Sequence, residues 1–147
     1  MDSKGKVSVL DFGLCDIVES RESFSSNFCG SLDYVAPEVI TSKQYSGYKS
    51  DIYSLGVVLY TLLYAEFPFV SSVRVDAIKK KANQPAISFD KLLGKNVGKD
   101  AKDLITNMLR ANPKERISMQ QVFKHSYIRK EKEMEQKLEQ DKPYSSA

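Results

Sequence analysis

A chain of 147 residues is the length of one domain. Apolar residues at 41% and charged residues at 28% exclude a disordered or low-complexity chain and allow a modest core. The 22 Lys and Arg stand against 19 Asp and Glu, scattered among one another, so no nucleic-acid-binding face is expected.

Residues 7–10 alternate behind a Lys4-Gly5-Lys6 turn and predict a short strand at the N-terminus. The stretch 14–31 is serine-rich with little periodicity and predicts a long irregular segment of the kind that carries function. Ser50 is placed to cap a helix over residues 51–64 whose body is apolar on nearly every face, the pattern of a central helix. A second helix is expected from Ser71 or Ser72, turning Val75, Ile78 and Ala82 inward, with a connection over 84–99. Residues 100–109 give the cleanest signal: Ala101, Leu104, Ile105, Met108 and Leu109 share one helix face. Asn112-Pro113 ends that helix, and Ser118 with Gln121 predicts a capping box for another through Val122 and Phe123. Residues 130–142 carry four positive and five negative charges around Met134 and Leu138, a solvated helix or frayed tail.

The apolar run 52–64 is well short of the roughly 20 residues a membrane span needs, and the N-terminus lacks a signal-peptide pattern. Two cysteines, Cys15 and Cys29, suit a reduced cytoplasmic or nuclear compartment. Cys15 is expected to be small and buried rather than reactive, and His125, the only histidine, to be structural.

Four motifs stand in order. Asp11-Phe12-Gly13 follows the expected strand, and a carboxylate there can hold a divalent ion against phosphate oxygens. Ala36-Pro37-Glu38 comes after Cys29-Gly30-Ser31-Leu32-Asp33-Tyr34-Val35. Ser50-Asp51-Ile52-Tyr53-Ser54-Leu55-Gly56-Val57 and Asn112-Pro113-Lys114-Glu115-Arg116-Ile117-Ser118 complete the set. On these motifs the chain resembles the eukaryotic serine/threonine protein kinases over residues 2–128.

The resemblance implies a mainly α fold: the helical C-lobe of a kinase, with a short β segment at the N-terminus and no β-rich N-lobe. It divides the chain into a truncated kinase domain over 1–129 and a charged tail over 130–147. It implies Asp11 as a magnesium ligand, with Phe12 and Gly13 beside the nucleotide. It implies an activation loop and substrate pocket over 14–35, with Ser31 and Leu32 in the pocket. Glu38 is implied to pair with Arg116. Asp51 is implied to open the central helix and receive hydrogen bonds from the catalytic loop; the lesser alternative is a plain helix N-terminal acid favoured by the macrodipole. His125-Ser126-Tyr127-Ile128 resembles the family's closing His-Pro-Trp-like motif, with serine for proline.

Three departures matter. Asn27 stands where many relatives carry an activating threonine, leaving Ser23, Ser25 and Ser26 as candidate phosphosites. Thr61 falls where basophilic relatives often carry glutamate, so an arginine-directed substrate preference is unsupported. The chain also contains no Gly-rich phosphate loop, no strand lysine and no His-Arg-Asp catalytic loop, so no catalytic base is assigned. The expectation is the C-terminal part of a serine/threonine kinase, using ATP and Mg2+ when complete, acting on a protein substrate, but not competent alone. The alternative is a stand-alone, pseudokinase-like module that binds a protein substrate or regulatory protein without chemistry. Neither nucleic acid nor membrane is expected as a partner.

Overall fold

The computed structural model describes residues 6–20, 23–69, 82–83, 86–90 and 96–140. It is mainly helical, with one antiparallel pair of two-residue strands, β1 (Phe24–Ser25) and β2 (Tyr45–Ser46). The helices are α1 (Pro37–Thr41), α2 (Gly47–Tyr64), α3 (Lys99–Met108), α4 (Met119–Lys124) and α5 (Ser126–Gln140). No helix among the described residues is long and apolar enough to cross a membrane.

The expected strand over 7–10 is absent. Val7, Val9 and Leu10 are exposed, and no described residue offers them a ladder partner. A strand exists through its neighbour's hydrogen bonds, which alternation alone does not provide. One strand of the sheet instead comes from the segment predicted to be irregular, pairing with β2 so that Phe24 faces Ser46 and Ser25 faces Tyr45.

Helix α2 begins at Gly47, four residues before the expected start. Ser50 does not cap it: its hydroxyl donates back to the Gly47 carbonyl at 2.9 Å, inside the first turn. The helix ends at Ala65, whose left-handed φ of 54° lets its N–H return to the Thr61 carbonyl. It is not buried all round. Tyr53, Val57, Tyr60 and Tyr64 enter the core, whereas Leu55, Val58 and Leu62 lie exposed.

The core is the seam between α2 and α3. Val57 and Tyr60 meet Ile105 and Leu109, with Val35, Ala36 and Val39 from α1 and its approach closing one side. Ile52 packs with Leu104, Met108 and Val122 on the other side. All five residues of the predicted α3 stripe are buried. Gly56 lets the two helices approach closely: a Cβ there would meet the Met108 Cβ at 2.8 Å.

The capping box at α4 forms as predicted. The Gln121 N–H donates to Ser118 Oγ at 3.3 Å, and the Ser118 N–H donates to Gln121 Oε1 at 2.8 Å. His125 joins this end to α3. Its Nδ1 accepts from the Tyr127 N–H, which leaves Nε2 to donate to Asp103 at 2.9 Å. Helix α5 runs on through residue 130, with residues 131–134 and 136 exposed and Lys130 pairing Asp100. Each ion of that pair favours the other's charged form, lowering the Asp100 pKa and raising that of Lys130. The expected helix over 71–82 and most of the 84–99 connection lie outside the described residues.

Candidate functional site

Pro37 fixes the first turn of α1 and sends Glu38 inward, where it is buried. The Asn112-Pro113 turn, closed by Glu115 and Arg116 N–H groups on the Asn112 carbonyl, sends Arg116 toward it. The two meet in a bidentate pair, Nη1 to Oε1 at 2.6 Å and Nη2 to Oε2 at 2.8 Å. Arg116 is only 2% exposed. Its remaining donors reach the carbonyls of Lys49 at 2.6 Å, Arg110 at 2.9 Å and Ala111 at 3.2 Å. All five guanidinium N–H groups therefore have acceptors, the condition under which a buried arginine is stable. The guanidinium also lies over the Tyr53 ring, 5.0 Å from its centroid. Burial pushes the Tyr53 phenol well above its ordinary pKa. Lys49 donates to the Arg116 carbonyl, and its own pKa is lowered by lost solvation and by the neighbouring guanidinium.

This anchor fastens the end of the 14–35 segment to the helices and leaves a cavity of ≈ 640 Å³ beside it. Its walls come from residues 13–16, from Cys29, Gly30, Ser31 and Tyr34, and from Asp51 and Ser54 on α2. Gly30 takes φ +99°, and Ser31 follows with its carbonyl accepting from Tyr34 and Val35. Ser54 Oγ donates to the Tyr34 carbonyl at 3.0 Å, while the Tyr34 ring stands edge-on to Phe67.

Gly13, Ser31, Ser25 and Asp51 thus share one cavity. Asp11, Phe12, Leu32, Ser23 and Ser26 are not on its walls. Asp11 takes a left-handed φ of 62° and folds Oδ1 onto the Gly13 N–H at 3.0 Å, while Phe12 is exposed. Among the described residues no three His, Cys, Asp or Glu side chains gather as metal ligands. A magnesium–ATP site needs more than the single carboxylate of Asp11, so the residues present do not fit one by themselves.

The three candidate phosphosites differ sharply. Ser25 is 7% exposed and donates to Asp16 Oδ2 at 2.9 Å. Ser23 Oγ accepts from the Ser20 N–H, and Ser26 stands exposed. Asn27 donates to the same Asp16 oxygen at 3.4 Å, and Tyr45 donates to the Asn27 carbonyl. Sequence reasoning missed this clasp of Asp16, Ser25, Asn27 and Tyr45, since no local pattern marks it. Cys15 is exposed, against the expected burial, because residues 14–17 run along the surface.

Asp51 lies in the second turn of α2, not at its opening, and is exposed. The surrounding protein still strips enough water to raise its carboxyl pKa, and no described group donates to it. A raised folded-state pKa means that ionisation opposes folding once pH exceeds the unfolded value, with stability returning as pH falls through the folded value. Asp51→Asn is therefore expected to be neutral or stabilising at pH 7, by less than about 1 kcal/mol given solvent screening. Urea unfolding of both proteins at pH 7 and pH 4 checks this, with the gap closing at the lower pH. A clear loss at pH 7 would mean that the carboxylate has found donors.

The protein kinase domain profile matches residues 1–128. The mitosis inducer protein kinase cdr1 of Schizosaccharomyces pombe is 37% identical over 123 residues, covering 84% of this chain and 20% of that protein. Serine/threonine-protein kinase cds1 of the same yeast is 37% identical over 127 residues, covering 83% and 27%. CBL-interacting serine/threonine-protein kinase 15 of Arabidopsis thaliana is 33% identical over 145 residues, covering 96% and 33%. The chain spans 20% to 33% of the length of these curated relatives.

Proposed function

The chain belongs to the protein kinase family, of serine/threonine type, and on that premise we propose that it is the helical, substrate-side part of such a kinase. In the complete protein this part serves phosphoryl transfer from ATP, with magnesium, to protein serine or threonine. The observation that carries this reading is the cavity beside the Glu38–Arg116 anchor. Residues following Asp11-Phe12-Gly13, the Cys29-Gly30-Ser31 turn and the carboxylate of Asp51 converge on it from three stretches distant in sequence.

Phosphoryl transfer rests on positioning and charge neutralisation, supplied by a phosphate loop, a lysine, metal-binding residues and a base. Of these the 147 residues contain Asp11 alone. Titrating magnesium–ATP into the folded chain is accordingly expected to give no saturable heat up to about 1 mM, the range of a very weak site. Saturable binding that disappears in Asp11→Ala would overturn this.

A second reading, a kinase-derived module that binds a protein partner without chemistry, draws on the exposed apolar residues Leu55, Val58 and Leu62 of α2. Coding sequence upstream of the Met1 codon separates the two. An in-frame His-Arg-Asp and Gly-rich loop supports the first, and a stop codon with a separate promoter supports the second. Either protein would work in the cytoplasm or nucleus.

A further inference from the structure

Ser25 is the centre of the Asp16 clasp. It is 7% exposed, and its hydroxyl is used twice, donating to Asp16 Oδ2 at 2.9 Å and accepting from the Asn27 N–H at 3.2 Å. Asn27 Nδ2 donates to the same carboxylate oxygen at 3.4 Å, which closes a ring of hydrogen bonds through the three residues. Tyr45 ties that ring to the core. It faces Ser25 across the β1–β2 pair, donates to the Asn27 carbonyl, and is buried with Val35, Ala36 and Val39.

Residue 16 is thus joined to residues 25–27, and both to β2, with no phosphate in the arrangement. Its one charge is the Asp16 carboxylate, which no cation pairs with among the described residues. A phosphate on Ser25 would remove the proton given to Asp16 and set a charge of about −2 beside that carboxylate. It would also place three oxygens where the hydroxyl already has neighbours at 2.9 and 3.2 Å. The closed ring has no room for it and no counter-charge.

We propose that this clasp is a switch: it holds its wall of the cavity while Ser25 is unmodified, and phosphorylation of Ser25 keeps it open. The phosphoryl donor is ATP in the active site of a separate protein kinase. Ser25 Oγ attacks the γ-phosphorus, the bond from that phosphorus to the bridging oxygen breaks, ADP leaves, and the hydroxyl proton passes to that kinase's base. Burial of Ser25 means that only the opened clasp is modified, and the phosphate then blocks reclosing, so the open state is selected and trapped. Ser26 is exposed and has no part in the ring, so a phosphate there leaves the clasp closed. As regulation of the cavity the switch rests on the substrate-side reading above, but its opening is read in the loop itself and can fail while that reading stands.

Amide hydrogen exchange of the full chain, followed by mass spectrometry, tests the switch. The parent is compared with protein phosphorylated at Ser25 alone, with protein phosphorylated at Ser26 alone, each made by genetically encoded phosphoserine, and with Asp16→Ala. Exchange over residues 24–30 is expected to quicken about tenfold on phosphorylation of Ser25 and by a similar factor in Asp16→Ala, since each loses hydrogen bonds of the ring. Helix α3 should keep its protection in every sample, and phosphorylation of Ser26 should change neither region. Parent-like exchange over 24–30 in either the Ser25-phosphorylated or the Asp16→Ala protein would overturn the proposal. So would equal effects of phosphate at the two serines, or loss of protection that spreads to α3.

Discussion

Arg116→Ala should cost about 3 to 5 kcal/mol, because it leaves Glu38 charged and dry. Glu38 is buried and the arginine supplies both of its close donors. The carbonyls of Lys49, Arg110 and Ala111 lose their guanidinium donor in the same step, and Tyr53 loses the group over its ring. Domains have only about 5 to 15 kcal/mol in total, so the variant should melt far below the parent or fail to fold. Arg116→Lys is the sharper comparison. It keeps the charge but brings three donors on a flexible stem instead of five in a planar fork, and should still lose about 2 to 3 kcal/mol. Urea denaturation measures both. An Arg116→Lys protein as stable as the parent would show that charge alone, without the fork, holds the anchor.

The next largest effect is expected at Gly56, and its sign runs against helix propensity. Alanine for glycine inside a helix ordinarily gains about 1 kcal/mol. Here the added methyl would stand 2.8 Å from the Met108 Cβ and 3.1 Å from Leu109 Cδ2. The Met108 Cβ is fixed to the α3 backbone, so the helices must separate along the core seam. Gly56→Ala should therefore lose about 1 to 3 kcal/mol, and Gly56→Val more. Gly47→Ala is the control, since a Cβ there meets nothing within 4 Å. It should be neutral or stabilising. A Gly56→Ala protein more stable than the parent would place α2 and α3 farther apart than described.

What the sequence disclosed follows the range of the forces involved. The α3 stripe and the Ser118–Gln121 box are set by residues three and four apart, so both are visible in the letters themselves. The Glu38–Arg116 pair spans the chain and was legible only through its motifs. Its backbone acceptors were not, because every residue carries a carbonyl and nothing marks the three that converge. The start of α2 was misplaced because Ser50 can cap a helix or fold its hydroxyl back within one, and its sequence surroundings suit both. Residues 7–10 carry a strand pattern whose pairing depends on a neighbour, and Leu55, Val58 and Leu62 carry an apolar face whose burial depends on one too. Around the cavity, the motifs indicated Gly13, Ser31 and Asp51, while Ser54 and the Asp16 clasp emerged only from the fold.

We propose that these residues build the substrate-side frame of a kinase without the parts that move phosphate. The direct measurement is transfer of label from γ-labelled ATP, with magnesium, by folded residues 1–147 to themselves and to a generic basic protein substrate. Circular dichroism on the same sample establishes that the helices are formed. No incorporation above a buffer control is expected. Incorporation by the purified chain that Asp11→Ala abolishes would contradict it.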